Sequence, residues 1–96
     1  MNTKEEYLKK LEAQFREWKF KIDTLENKAS VASAEVKTEL LREIDLLRGK
    51  KAVVKEKWEE LLKSGGEVWE VMKDGVEKAS SDLKTALDKV MSRFKD

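Results

Sequence analysis

The chain contains neither Cys nor His, and the side chains that dominate it are carboxylates and bases. That absence removes disulfides, thiolate nucleophiles, the usual zinc ligands and the side chain that titrates near neutrality. Two sets of residues remain. Glu5-Glu6 and Glu59-Glu60 place acids side by side, as acid–base catalysis or a divalent cation would want. Arg42, Arg48, Lys50, Lys51, Lys55 and Lys57 gather positive charge around Trp58, as phosphate contacts would.

Neither set survives its spacing. Consecutive helical residues point about 100° apart, so adjacent acids diverge, and no pocket is implied around them. They read as a solvated helix face. The basic set is interleaved with Glu43, Asp45, Glu56, Glu59 and Glu60, and Trp58 itself falls on an apolar stripe. No catalytic, cofactor-binding or metal-binding residue is therefore expected. The chain reads as non-enzymatic, and nucleic acid is not the expected partner.

The elements that carry these residues are helices. The chain has 96 residues, 43% charged and 40% hydrophobic, without proline. That suits one domain, residues 1–96, built from long helices with narrow apolar stripes. Net charge is +1, and acids and bases balance within each third of the sequence, unlike the one-sided field of a polyanion binder. Met1-Asn2-Thr3-Lys4-Glu5-Glu6 lacks the apolar core of a signal peptide, and no run approaches the ~20 apolar residues of a membrane span. A cytoplasmic location is the expectation.

Thr3-Lys4-Glu5-Glu6 has the pattern of a capping box that opens a helix. Acid-to-base pairs four apart follow at Glu5/Lys9, Glu6/Lys10, Glu12/Arg16 and Glu17/Lys21. The apolar seam Leu8, Leu11, Phe15, Trp18, Ile22, Leu25, Ala29, Ala32 and Val36 steps by three and four in coiled-coil fashion. From Val36 through Leu40 and Ile44 to Leu47 the step changes, a stutter that relaxes a left-handed supercoil. Lys51, Val54, Trp58 and Leu61 then resume the pattern, with the Lys51 stem lying along the seam. Apolar residues here come in pairs, Leu40/Leu41, Leu46/Leu47, Val53/Val54 and Leu61/Leu62, and a seam that wide should meet two neighbouring helices. Gly49 sits on the polar side and is read as tolerated within the helix.

Ser64-Gly65-Gly66-Glu67 is the clear break, with glycine for a left-handed helix end and a second capping-box pattern in Ser64 and Glu67. Val68, Trp69, Met72, Val76, Ala79, Leu83, Ala86, Leu87, Val90, Met91 and Phe94 then form one apolar face of a helix over about 67–94. So short a linker makes this helix antiparallel to the one before it.

The expected fold is all-α: a long helix over about 3–63 and the antiparallel helix over about 67–94, a helical hairpin. The last helix covers only half of the long one, which leaves an N-terminal stripe in need of a partner. That stripe, with the off-seam Phe20, is the expected partner interface: Tyr7, Leu8, Leu11, Phe15, Trp18, Phe20, Ile22 and Leu25. A second copy, paired antiparallel, would complete a three-helix unit from each chain's arm, the arrangement called domain swapping. The alternative is a turn near 29–34 that closes the chain into a monomeric three-helix bundle. Ala29, Ala32 and Ala34 favour helix, neither Gly nor Pro interrupts, and neither Ser30 nor Ser33 has an acid or Gln three residues on. The continuous helix, and with it the homodimer, is the preferred reading.

Glu17-Trp18, Ile22-Asp23-x-Leu25, Leu47-Arg48, Ser64-Gly65-Gly66-x-x-Trp69, Gly75 and the ending Ser92-Arg93-Phe94-Lys95 give the chain a likeness along nearly its whole length. In these it resembles a family of small bacterial coiled-coil proteins of uncharacterised function. The resemblance implies a helical hairpin and no functional residues. The last third is also similar to amphipathic tails of stress-associated and apolipoprotein-like proteins. The leading function is a coiled-coil self-association, protein-interaction or scaffold module. The alternative is binding to a lipid or membrane surface through residues 67–95, whose apolar face has Trp69 and Phe94 at its ends. The polar side of that segment mixes Glu67, Glu70, Asp74, Glu77, Asp82 and Asp88 with six cations, which gains little from anionic lipid.

Overall fold

A computed structural model describes residues 3–95 and shows an all-α protein. Helix α1 runs Thr3–Ser30, α2 Ala34–Lys63 and α3 Val68–Arg93. They run up, down and up in a rod of 51 × 20 × 17 Å. Contacts at both ends fix this order. Near the start of α1, Lys4 Nζ donates to the Ser64 carbonyl at the end of α2 (3.1 Å), and the Tyr7 ring meets that of Trp69 at the start of α3. At the other end, Lys28 Nζ donates to the Phe94 carbonyl at 3.2 Å.

The long helix expected over 3–63 is therefore two helices, and the chain takes the alternative of a turn near 29–34. The break is short. Val31 and Ala32 donate to the carbonyls of Lys28 and Ala29 at 3.3 Å each, and Ser33 is extended (φ −63°, ψ 160°) before α2 begins. Ser30 Oγ donates to the Asn27 carbonyl at 2.7 Å, a local bond that competes with helix continuation. Magnitudes explain the outcome. Alanine's helix preference over serine or valine is a few tenths of a kcal/mol per residue, and each interrupted backbone bond is worth about 1 kcal/mol net. Folding back buries Leu11, Trp18, Ile22, Leu25 and Ala29. At roughly 1.5–3 kcal/mol per large apolar side chain, burial outweighs a few local bonds.

Two further expectations change. Ala32 and Val36 leave the seam: Ala32 lies in the turn, and Val36 is exposed at the start of α2. The Ser64–Glu67 capping box does not form, because Ser64 Oγ donates backwards to the Leu61 carbonyl at 2.7 Å and Glu67 makes no side-chain cap. The turn closes by other means. The Ser64 N–H donates to the Glu60 and Leu61 carbonyls, and Gly66 takes the left-handed conformation (φ +56°). The Thr3 side chain of the N-terminal capping box lies outside the described residues.

Helix α2 is the middle element, as its wide seam requires, packed on α1 on one side and on α3 on the other. Its buried line is Leu40, Ile44, Leu47, Val54 and Leu61. One member of each of the four apolar pairs, Leu41, Leu46, Val53 and Leu62, is exposed instead. Helix α3 buries Val76, Leu83, Leu87 and Val90. Among the described residues every buried side chain is apolar. The core divides into a larger aliphatic part, with Trp18 at its edge, and a smaller part around Leu11, Leu61 and Val76.

Candidate functional site

The expected interface residues divide sharply. Leu11, Trp18, Ile22 and Leu25 are buried in the chain's own core. Tyr7, Leu8 and Phe15 are half-buried at its rim. Phe20, whose off-seam position turns it away from the bundle, is 71% exposed. The arm thus finds its cover in α2 and α3 of the same chain.

Aromatic rings mark where α1 docks. Phe15 lies edge-on to Trp18 of its own helix and to Trp58 of α2, both at 5.5 Å between centroids. Tyr7 lies edge-on to Trp69 at 5.8 Å, with Lys4 over the Trp69 ring at 5.3 Å and Lys73 over the Tyr7 ring at 5.2 Å. Such edge contacts and cation–π contacts each add about 0.5–1.5 kcal/mol beyond area. Burial, and to a lesser degree the charge of Glu77, pushes the Tyr7 phenol up to about 12. The hydroxyl is therefore neutral at physiological pH and unsuited to act as a base.

A groove lies on each side of α1. Between α1 and α3 lies a groove of about 400 Å³, with Tyr7, Gln14, Glu17, Lys21, Glu77 and Ser80 in its wall. Its charges are of both signs, and Ser80 Oγ is buried there without a hydrogen-bond partner. Between α1 and α2 lies a groove of about 340 Å³ floored by Phe15 and Trp58. Arg16 and Lys19 of α1, Lys51 and Lys55 of α2, and one acid, Glu12, form its rim. Among the described residues Arg16, Lys51 and Lys55 make no ion pair, while Lys19 is held by Asp23 at 3.2 Å.

The sequence alone does not reveal this second groove. Its spacing makes Lys51 a snorkelling seam residue and pairs Arg16 with Glu12. Of the four expected intrahelical pairs, Glu17–Lys21 forms at 3.0 Å, whereas Glu12–Arg16 and Glu6–Lys10 do not. The signal is present as basic residues beside Phe15 and beside Trp58, but joining the two needs the register of α1 on α2.

The basic set around Trp58 is divided between the two sides of α2. Arg48 pairs with Glu26 of α1, and Lys51 and Lys55 face the α1 groove. Lys50 pairs with Asp82 of α3 at 2.8 Å, and Lys57 lies against Gly75. Glu5, Glu6, Glu59 and Glu60 are all exposed. Among the described residues no group of three or more acids stands close enough to hold a metal ion, and no helix is long and apolar enough to cross a membrane. The apolar face of α3 is turned into the bundle, with Trp69 and Phe94 packed at its two ends, while Val68 and Val71 remain exposed. No protein-family model, curated protein or solved structure matches this chain.

Proposed function

We propose that the protein is a non-enzymatic coiled-coil interaction module that self-associates by exchanging α1 between two copies, in a cytoplasmic setting. One observation carries this reading: α1 is joined to α2 through Val31–Ser33, a connection held by local bonds alone, two 3.3 Å turn bonds, the Ser30 Oγ bond to Asn27 and the Lys37 N–H bond to the Ser33 carbonyl. Val31 is 86% exposed, and Ser33 makes no side-chain cap. The flanking alanines favour helix, so straightening the connection restores backbone bonds while it releases the arm. A second copy then offers the released stripe the same α2 and α3 surfaces. In that exchange Tyr7, Leu8, Leu11, Phe15, Trp18, Ile22 and Leu25 form the interface, and Phe20 stays outside for a further protein partner.

The chain has no cysteine, which makes the test clean. Glu26 and Arg48 are ion-paired across α1 and α2, so Glu26→Cys with Arg48→Cys places two thiols at that contact. After oxidation at high micromolar concentration the expected products are disulfide-linked dimers of twice the 11.1 kDa chain mass. Sedimentation equilibrium of the unmodified chain should show the same doubling. Purely intramolecular disulfides and a single-chain species throughout would overturn the proposal.

A further inference from the structure

The geometry points to the α1/α2 groove as a binding site for a small, flat aromatic monoanion, a free carboxylate or sulfonate rather than a macromolecule. This goes beyond self-association and is independent of it. The Phe15–Trp58 floor and its rim are rebuilt whether α1 packs on its own α2 or on a second copy's.

Charge complementarity selects the occupant. Three of the four rim cations have no ion pair among the described residues, in a chain whose acids and bases otherwise balance. They stand on both walls, Arg16 on α1 and Lys51 and Lys55 on α2, above an apolar floor. A floor of rings wants a ring, and a rim of unpaired cations wants one negative charge. Such a ligand satisfies both at once, and a neutral ring satisfies only the first.

Size selects against larger partners. At about 340 Å³ the groove lies near the lower end of small-molecule sites. Arg16 to Lys19 and Lys51 to Lys55 each span about one helical turn, roughly 5–6 Å. A partner helix needs several turns of groove, and a membrane or nucleic acid needs a broad cationic face. Here Glu12 interrupts the rim, and Lys50 of α2 is turned towards α3. Trp58 adds a local tension, since its indole N–H is buried without a partner. A donor left in that state is costly, and an anion settling beside a shifted indole would relieve it.

The test titrates naphthalene-2-sulfonate into the isotopically labelled full chain and follows backbone amide shifts, with the neutral naphthalen-2-ylmethanol as control. Saturating shifts centred on Phe15, Arg16, Lys51, Lys55 and Trp58 are expected. The anion should bind at least about fivefold tighter than the alcohol, with the margin shrinking as salt screens the rim. Lys51→Gln with Lys55→Gln should erase that margin while leaving the alcohol unchanged. Shifts centred on Tyr7 and Ser80 instead, equal affinity for both probes, or no saturation at millimolar probe would overturn the proposal. Should the double variant lose its native spectrum, the comparison of the two probes on the unaltered chain decides.

Discussion

Helix α3 and helix α1 both lie on α2, and they do so by different means. Towards α3 the contact is aliphatic and close: Leu47, Val54, Leu83 and Val90 are buried, with Ala79 and Ala86 filling in beside them. Ion pairs line its flank, Lys50 with Asp82 and Arg93 with Glu39 and Glu43. Towards α1 the contact is made with rings, and grooves of about 400 and 340 Å³ open on the two sides of the helix, against one of about 300 Å³ between Leu46, Gly49 and Val53 of α2 and Ala79 of α3. Small side chains let helix axes approach, and large ones set them apart. The lesson is a division of labour: α2 and α3 make a hairpin that holds together, and α1 makes an arm whose docking leaves room for something else.

The largest test of that contrast is Leu83→Ala. Leu83 of α3 is fully buried in the larger core cluster, so truncation leaves a cavity and should cost about 2–5 kcal/mol in urea unfolding followed by circular dichroism. Phe15→Ala removes a larger side chain from the half-open α1 contact, and with part of its surface already in water it should cost roughly half as much. Equal losses at the two positions would erase the distinction between hairpin and arm.

That distinction is only partly legible in the sequence. The hairpin is, because its signals are local: Gly65-Gly66 marks a left-handed turn, and the apolar face from Trp69 to Phe94 keeps helical spacing throughout. The stripe on α1 is equally plain, and Leu11, Trp18, Ile22, Leu25 and Ala29 are buried as it requires. The bend at Val31–Ser33 is not, because alanine propensity and an unbroken heptad both favour helix locally. Burial of the whole α1 stripe outweighs them and sets the bend. The grooves beside α1 are hidden for a related reason. They depend on which turn of α1 meets which turn of α2, and no single-helix pattern encodes that register.

A smaller effect tests the hairpin's own closure. Gly66 has φ +56° and open space where a Cβ would sit, so Gly66→Ala meets backbone strain and no clash. The expected loss is about 1–2 kcal/mol, the cost of a left-handed non-glycine residue. Gly65→Ala, also in open space and without positive φ, should be close to neutral. If both substitutions cost the same, conformational freedom at Gly66 is not what closes α2 onto α3.

Smaller again is the flank of the hairpin. Lys50 is half-buried and Asp82 exposed at 2.8 Å separation on the bundle surface, so a double-mutant cycle with Lys50→Gln and Asp82→Asn should give a coupling of only about 0.2–1 kcal/mol. It should fade in high salt as screening sets in. A coupling above that range would move the source of hairpin strength from its aliphatic contact to its charges.

The last test produces no change at neutral pH and reads the docking of the arm directly. Tyr7 is the only tyrosine in the chain, so absorbance near 295 nm follows it alone. Its phenol is pushed up to about 12 by burial and by Glu77 of α3. The folded chain therefore holds the phenolic proton more tightly than the unfolded chain, whose tyrosine titrates near its ordinary value of about 10. Tyr7 thus contributes fully to stability below pH 10, and its contribution falls as pH rises from there towards 12. In Tyr7→Phe that loss is absent, so the variant should keep its helix signal to higher pH than the unaltered chain. A phenol that titrates near 10 while the helix signal is intact would mean that the start of α1 has left α3. The arm would then be open along its first turns even where the hairpin is whole.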